Sequence, residues 1–102
     1  MNTFCLVGKI ARLPKLEESP QGWKTCTVQM EVERPFANSS GVFETDLIDV
    51  EVWRGAAETL TAAARQYSWI SARGRIQARM KEHNGQQIPS YQFIAEKIEY
   101  IH

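Results

Sequence analysis

The two-residue period of Trp69-Ile-Ser-Ala-Arg-Gly-Arg-Ile-Gln-Ala-Arg-Met-Lys81 constrains this chain more than any other feature. Alternate side chains of a β-strand face opposite ways. The even positions, Ile70, Ala72, Gly74, Ile76, Ala78 and Met80, then form a core face. The odd positions, Trp69, Ser71, Arg73, Arg75, Gln77, Arg79 and Lys81, carry four cations, one ring and no acid. Same-face neighbours on a strand stand roughly 6.6–7 Å apart. A polyanion with phosphates at about that spacing, such as an extended single nucleic-acid strand, is matched charge by charge. The plainer alternative is a solvated face that discourages edge pairing.

A second strand is as clear. From Thr25 to Glu33, Cys26, Val28, Met30 and Val32 face in while Thr25, Thr27, Gln29, Glu31 and Glu33 face out. Before it, Phe4 to Ile10 is apolar and β-rich, and Gly8 suggests a bend that lets one strand serve both sides of a small barrel. Residues 11–23 hold Pro14, Ser19, Pro20 and Gly22, the chemistry of a loop. Arg34-Pro35-Phe36 leaves the second strand for a polar tip at Ala37 to Gly41. A third strand runs from Phe43 to Trp53, with Ile48, Val50 and Val52 inward and Leu47, Asp49, Glu51 and Trp53 outward. Residues 56–66 turn helical, with Ala56, Leu60, Ala63 and Ala64 as the apolar stripe. The basic strand follows, and His83-Asn84-Gly85-Gln86 forms a two-residue hairpin that sets Lys81 opposite Ile88 and Arg79 opposite Ser90. A last strand, Tyr91 to Tyr100, is apolar on both faces, so a partner subunit is expected to cover part of it.

That order, three strands, one short helix between strands 3 and 4, then two strands, is the order of an all-β OB-fold, a five-stranded Greek-key barrel. One OB-fold domain over residues 1–102 suits a chain of this length. No apolar run approaches the roughly 20 residues of a membrane helix, and the amino terminus lacks a secretory pattern. A cytoplasmic, nucleoid-associated protein with no membrane partner is expected. Cys5 and Cys26 are expected to stay reduced. Neither His83 nor His102 looks like a metal ligand, and no Cys/His spacing suits zinc, so no metal or cofactor is expected.

Basic and acidic residues balance at twelve each, but they are unevenly placed. Residues 65–81 hold five cations and no acid, whereas residues 31–58 hold seven acids against Arg34 and Arg54. Such asymmetry aims a polyanion at one side of the molecule, or the blocks neutralise each other across adjoining strands. No nucleophile–base constellation or phosphate-binding Gly loop is present, so an enzyme is not expected. Asp49 and Glu51 share a strand face, but arginine partners explain them more cheaply than catalysis. An OB-fold used only for protein interaction is a third class.

The chain resembles the bacterial single-stranded DNA-binding proteins along nearly its whole length. The resemblance is carried by Leu6-Val7-Gly8-Lys9, Arg12-Leu13-Pro14, Ser19-Pro20-Gln21-Gly22, Arg34-Pro35-Phe36, Asp46 through Glu58, Arg73 through Arg79, Asn84-Gly85 and Ala95-Glu96. It implies an OB-fold that assembles into tetramers or dimers and binds single-stranded DNA without sequence preference, in replication, recombination or repair. Residue by residue, it implies stacking rings at Trp53 and near Phe36, and backbone contacts at Lys9, Arg34, Arg75 and Arg79. Lys81 and Leu47 stand where other members carry rings. Trp23, beside Lys24, adds a further candidate ring, as does Trp69; Arg73 and Lys81 add cations, with Arg73 the one expected to be tied up by acids. Tyr67 replaces a glycine common before the fourth strand. The sequence ends at Ile101-His102 without the family's glycine-rich tail and acidic tip, so either a truncated sequence or a tail-less member is expected. The primosomal replication protein N, a related dimeric OB-fold acting in replication restart, is similar in length and is the alternative. Glu31, Glu33, Asp49 and Glu51 lie beside the expected DNA path, where they would repel phosphates.

Overall fold

The computed structural model of the chain describes residues 1–101, so His102 lies outside the described residues. Six strands and one helix follow in order: β1 (Phe4–Arg12), β2 (Glu17–Glu18), β3 (Lys24–Ala37), β4 (Phe43–Trp53), α1 (Arg54–Ala63), β5 (Trp69–His83) and β6 (Gln86–Ile101). They pair in the order β1-β5-β6-β4-β3-β2, and a β1–β3 pairing closes the barrel. β2 is a two-residue strand inside the expected loop; without it the barrel has the five strands that the pattern predicts.

The closure depends on β1. It pairs with β5 from Phe4 to Lys9 and with β3 from Lys9 to Arg12, so it changes partner just past Gly8. The in-facing residues of β3 and β4 meet in register, Cys26 with Val52, Val28 with Val50 and Met30 with Ile48. Together with Ile10, Ile70 and Ala72 they make a closed apolar core. Both thiols are free; Cys5 is exposed, and burial pushes the Cys26 thiol above its usual range.

Helix α1 covers one end of that core. The phase expected for it was one residue off. Ala57 and Leu60 are buried, whereas Ala56 and Ala63 are exposed. Leu60 and Ala64, which packs against the core, belong to both stripes, and a run of alanines offers no contrast to choose between them. The helix also starts at Arg54 and stops at Ala63, earlier than expected at both ends.

β5 does not keep its core face. Ile70, Ala72 and Gly74 are buried, but Ile76, Ala78 and Met80 are exposed. The change falls at Gly74, where β6 carries one extra residue: Arg73 faces Lys97 and Gly74 faces Ala95. A Cβ at Gly74 would collide with the carbonyl oxygen of Ile94. The bulge and the close crossing bend the β5–β6 ribbon there, and among the described residues its even face beyond Gly74 is left open. Asn2 braces the bend, its side-chain amide donating to the Ile76 carbonyl at 2.6 Å and accepting from the Ile76 N–H at 3.0 Å. The ribbon ends in the expected turn, with Asn84 and Gly85 at φ 51° and 78°, as a two-residue turn of this hand requires. The register is the expected one, Lys81 opposite Ile88 and Arg79 opposite Ser90.

β3 and β6 are longer than the sequence suggests. β3 passes Arg34 and reaches Ala37 through a bulge between Glu33 and Ala37. β6 begins at Gln86, not Tyr91, with Pro89 opposite Met80. Only β5 borders this part of β6, because the β4–β6 pairs are at Phe93 and Ile94. Proline is tolerated on such an edge. Tyr67 sits at φ 67°, the left-handed conformation that a glycine would take at less cost.

Candidate nucleic-acid interface

The bend in β5–β6 lays the odd face of the ribbon against the outer face of β3 and β4. Between them runs an open cleft of about 620 Å³, lined by Trp23, Trp53, Arg54, Arg75, Gln77, Arg79 and the Ile94–Glu96 segment. A smaller groove of about 320 Å³ is lined by Thr27, Asp49, Glu51, Lys81 and residues 90–93. Trp23, Trp53, Arg75 and Arg79 therefore share one cleft, with Lys81 in the adjoining groove.

Glu51 explains why an acid stands at this site. Its carboxylate accepts a hydrogen bond from the Trp53 indole N–H at 3.0 Å, and the same oxygen lies 3.6 Å from the Arg79 guanidinium. The side chain is only 17% exposed. Glu51 thus fixes the orientation of the ring and holds Arg79 at the cleft wall. Arg75 is placed in the same way, 3.6 Å from Glu96. At 3.6 Å neither pair is a close hydrogen-bonded bridge, and the Arg75–Glu96 pair, exposed on both sides, is weak, about 0–1 kcal/mol; both guanidinium groups are about half exposed, so either arginine can exchange its carboxylate for a phosphate. Lys81 forms no ion pair among the described residues. Asp49 accepts a long hydrogen bond from Gln29 at 3.5 Å, and Glu31 and Glu33 have no ion pair among the described residues.

The N-terminus of α1 opens onto the cleft through Trp53 and Arg54. No side chain caps it and its first turn has no acid, so the positive end of the helix dipole is left unopposed. Arg54 lays its guanidinium over the Trp23 ring, 3.7 Å from the ring centroid. Lys24, next to Trp23, is 3.6 Å from Glu18 on β2.

Other expected residues lie elsewhere. Arg34 is engaged by two acids: its Nε and Nη2 donate to Asp46 at 3.1 and 2.9 Å, and its Nη1 donates to Glu44 at 2.6 Å. The hydrogen bonds from Arg34, and then its charge, hold the Asp46 carboxyl below its usual range. Phe36 is 62% exposed beside the β3 bulge, and Leu47 is similarly exposed on β4; neither lines the cleft. Lys9 lies over Trp69, 5.5 Å from its centroid, on the outer face of β1 and β5. Arg73 shares that face, opposite Lys97 and Cys5. It forms no ion pair among the described residues, contrary to expectation; the acids meet Arg75 and Arg79 instead. The bend at Gly74 separates Arg73 from the other cations of β5.

Arg54 was not an expected site residue; it stood only as charge within an acidic block and as part of a stretch that carries the resemblance. The available signal was an arginine directly after Trp53, at the junction of strand and helix. Gln77 and Glu96 were also missed; both line the cleft.

The family model described as "Single-strand binding protein family" matches residues 1–101. The chain is 33% identical to the single-stranded DNA-binding protein 3 of Listeria innocua, over 99% of this chain and 64% of that protein. It is 32% identical to the single-stranded DNA-binding protein of Halalkalibacterium halodurans, over 99% of this chain and 61% of that one. The chain thus spans less than two thirds of the length of these relatives. Among solved structures, the small single-stranded DNA-binding protein of Streptomyces coelicolor superposes with a TM-score of 0.74 at 19% identity, covering 97% of this chain and 93% of that one. A deletion mutant of the Thermus aquaticus protein gives a TM-score of 0.81 at 21% identity, covering all of this chain and 51% of that one. Both likenesses establish the OB-fold.

Proposed function

The chain belongs to the single-strand binding protein family, and we propose that it binds single-stranded DNA without sequence preference, through the cleft between β4 and the β5–β6 ribbon. The observation that carries this reading is the meeting of Trp53 and Trp23 with Arg54, Arg75 and Arg79 along that cleft. Duplex DNA hides its bases, but a single strand offers both a base face and a phosphate at each step. Rings stack on bases of any sequence, at about 1–3 kcal/mol per base. Arg75, Arg79 and Lys81 take the phosphates and release counterions. Glu51 holds Trp53 in place before the DNA arrives, so less ordering remains to be done on binding.

Replication, recombination or repair, in the cytoplasm and at the nucleoid, is the setting in which such binding serves. The same reading has the chain assemble with copies of itself, as a tetramer in preference to a dimer. It is supported by exposed Val7, Trp69 and Ile101 on the outer face of β1, β5 and β6. Light scattering measures that mass. Oligo(dT) added at low salt should quench tryptophan emission, and duplex DNA of equal length should do so far less. Unchanged emission with oligo(dT) would overturn the reading.

A further inference from the structure

Resting on that reading, we propose that Trp23 and Arg54 together form a nucleobase-stacking platform, distinct from Trp53 within the same cleft. Arg54 sits at φ 61°. A non-glycine residue there is strained, and such strain persists where the surroundings impose it, often at ligand sites. Its guanidinium lies 3.7 Å from the Trp23 centroid, and Arg54 forms no ion pair among the described residues. An exposed cation–π contact returns no more than the left-handed backbone costs. Stability alone therefore gives no reason for an arginine at this position, where glycine would be unstrained.

The backbone that carries Trp23 is also fixed in advance. Its backbone N–H donates to Ser19 Oγ at 3.1 Å and its backbone carbonyl accepts from the Ser19 N–H at 2.8 Å. Two residues on, Thr25 pairs with Trp53, which ties the loop carrying Trp23 to the strand carrying Trp53. The residue is still 40% exposed. The result is a flat, cationic, partly solvated surface held beside an oriented ring. Guanidinium planes and indoles both stack on nucleobases. The chemistry suits a base rather than a phosphate, because an indole adds nothing to phosphate binding.

The test compares Arg54→Gly and Trp23→Ala with wild type, on oligo(dT) and on an oligomer of equal length with abasic sites. Arg54→Gly should melt no lower than wild type, since it relieves the left-handed strain. Its affinity for oligo(dT) should nonetheless fall about tenfold, and that of Trp23→Ala likewise. Both should lose much less on the abasic oligomer. Equal losses on the two oligomers would make Arg54 a phosphate contact and overturn the platform. Wild-type affinity in both variants, with Trp53→Ala weakened, would also overturn it while leaving the cleft reading intact. No binding of oligo(dT) by wild type would overturn both.

Discussion

The two long hairpins use their cations in opposite ways. At the β3–β4 end, Arg34 is held at 2.6–3.1 Å by Glu44 and Asp46. Asn38 completes that tip, accepting from the Ser40 and Val42 N–H groups and donating to Glu44. The one cation there, Arg34, is used to hold the hairpin together. On the β5–β6 ribbon, Arg75 and Arg79 stand 3.6 Å from acids of β6 and β4, and Lys81 has no ion pair among the described residues. A cation locked by a bidentate carboxylate is structural. One parked loosely at a cleft wall is available to a ligand. Partner geometry, not the number of basic residues, decides which hairpin can bind a polyanion.

The sharpest effect on that contrast should come from the ring. Trp53→Ala should weaken oligo(dT) binding by roughly 10- to 100-fold, by the loss of one stacked base, with little change in its salt dependence; fluorescence anisotropy of a labelled oligomer reads both. Next, Arg79→Ala should lower the slope of log affinity against log salt by about 0.7, the value for one phosphate on a single strand. Arg34→Ala should leave that slope alone and lower the melting temperature instead. Equal slopes for the two variants would erase the difference between the hairpins. Glu51→Gln should tighten binding, by about threefold if one weak, long ion pair is released, because it frees Arg79 while its amide oxygen still accepts from Trp53; weaker binding would mean that the charge of Glu51 is needed.

The smallest effect should be with pH. Asp46 has a carboxyl pKa lowered in the folded state, first by the hydrogen bond from Arg34. Its contribution to stability is complete above the unfolded value of about 3.9. It is lost as pH falls through the lower folded value. Amide exchange or chemical shifts at the β3–β4 tip should report that loss below about pH 4, and Asp46→Asn should abolish it.

Much of this was legible in the sequence where local rules are strict. Alternation placed Cys26, Val28 and Met30 inside, and Asn84-Gly85 set the register of the ribbon. Other features depend on tertiary contacts that carry no local signature. The exposure of Ile76 and Met80 follows from the bend at Gly74, which alternation cannot reveal. The engagement of Arg34 becomes visible only once the β3–β4 register sets Val32 opposite Asp46. The role of Arg54 rests on a left-handed turn at a strand–helix junction and on a ring brought from a distant loop. For Glu51 the sequence left phosphate repulsion and an arginine partner both open; the side chain does pair with Arg79, and its bond to the Trp53 indole carried no sequence signal.

If the β5–β6 ribbon supplies the phosphate contacts, its three cations set the salt dependence of binding. The most direct test is the salt dependence of oligo(dT) binding by Arg75→Ala/Arg79→Ala/Lys81→Ala beside wild type. The slope should fall by about 2, which is 0.7 for each of three phosphates, while stacking on Trp53 still quenches its emission. An unchanged slope would contradict the account and place the DNA on another face of the barrel.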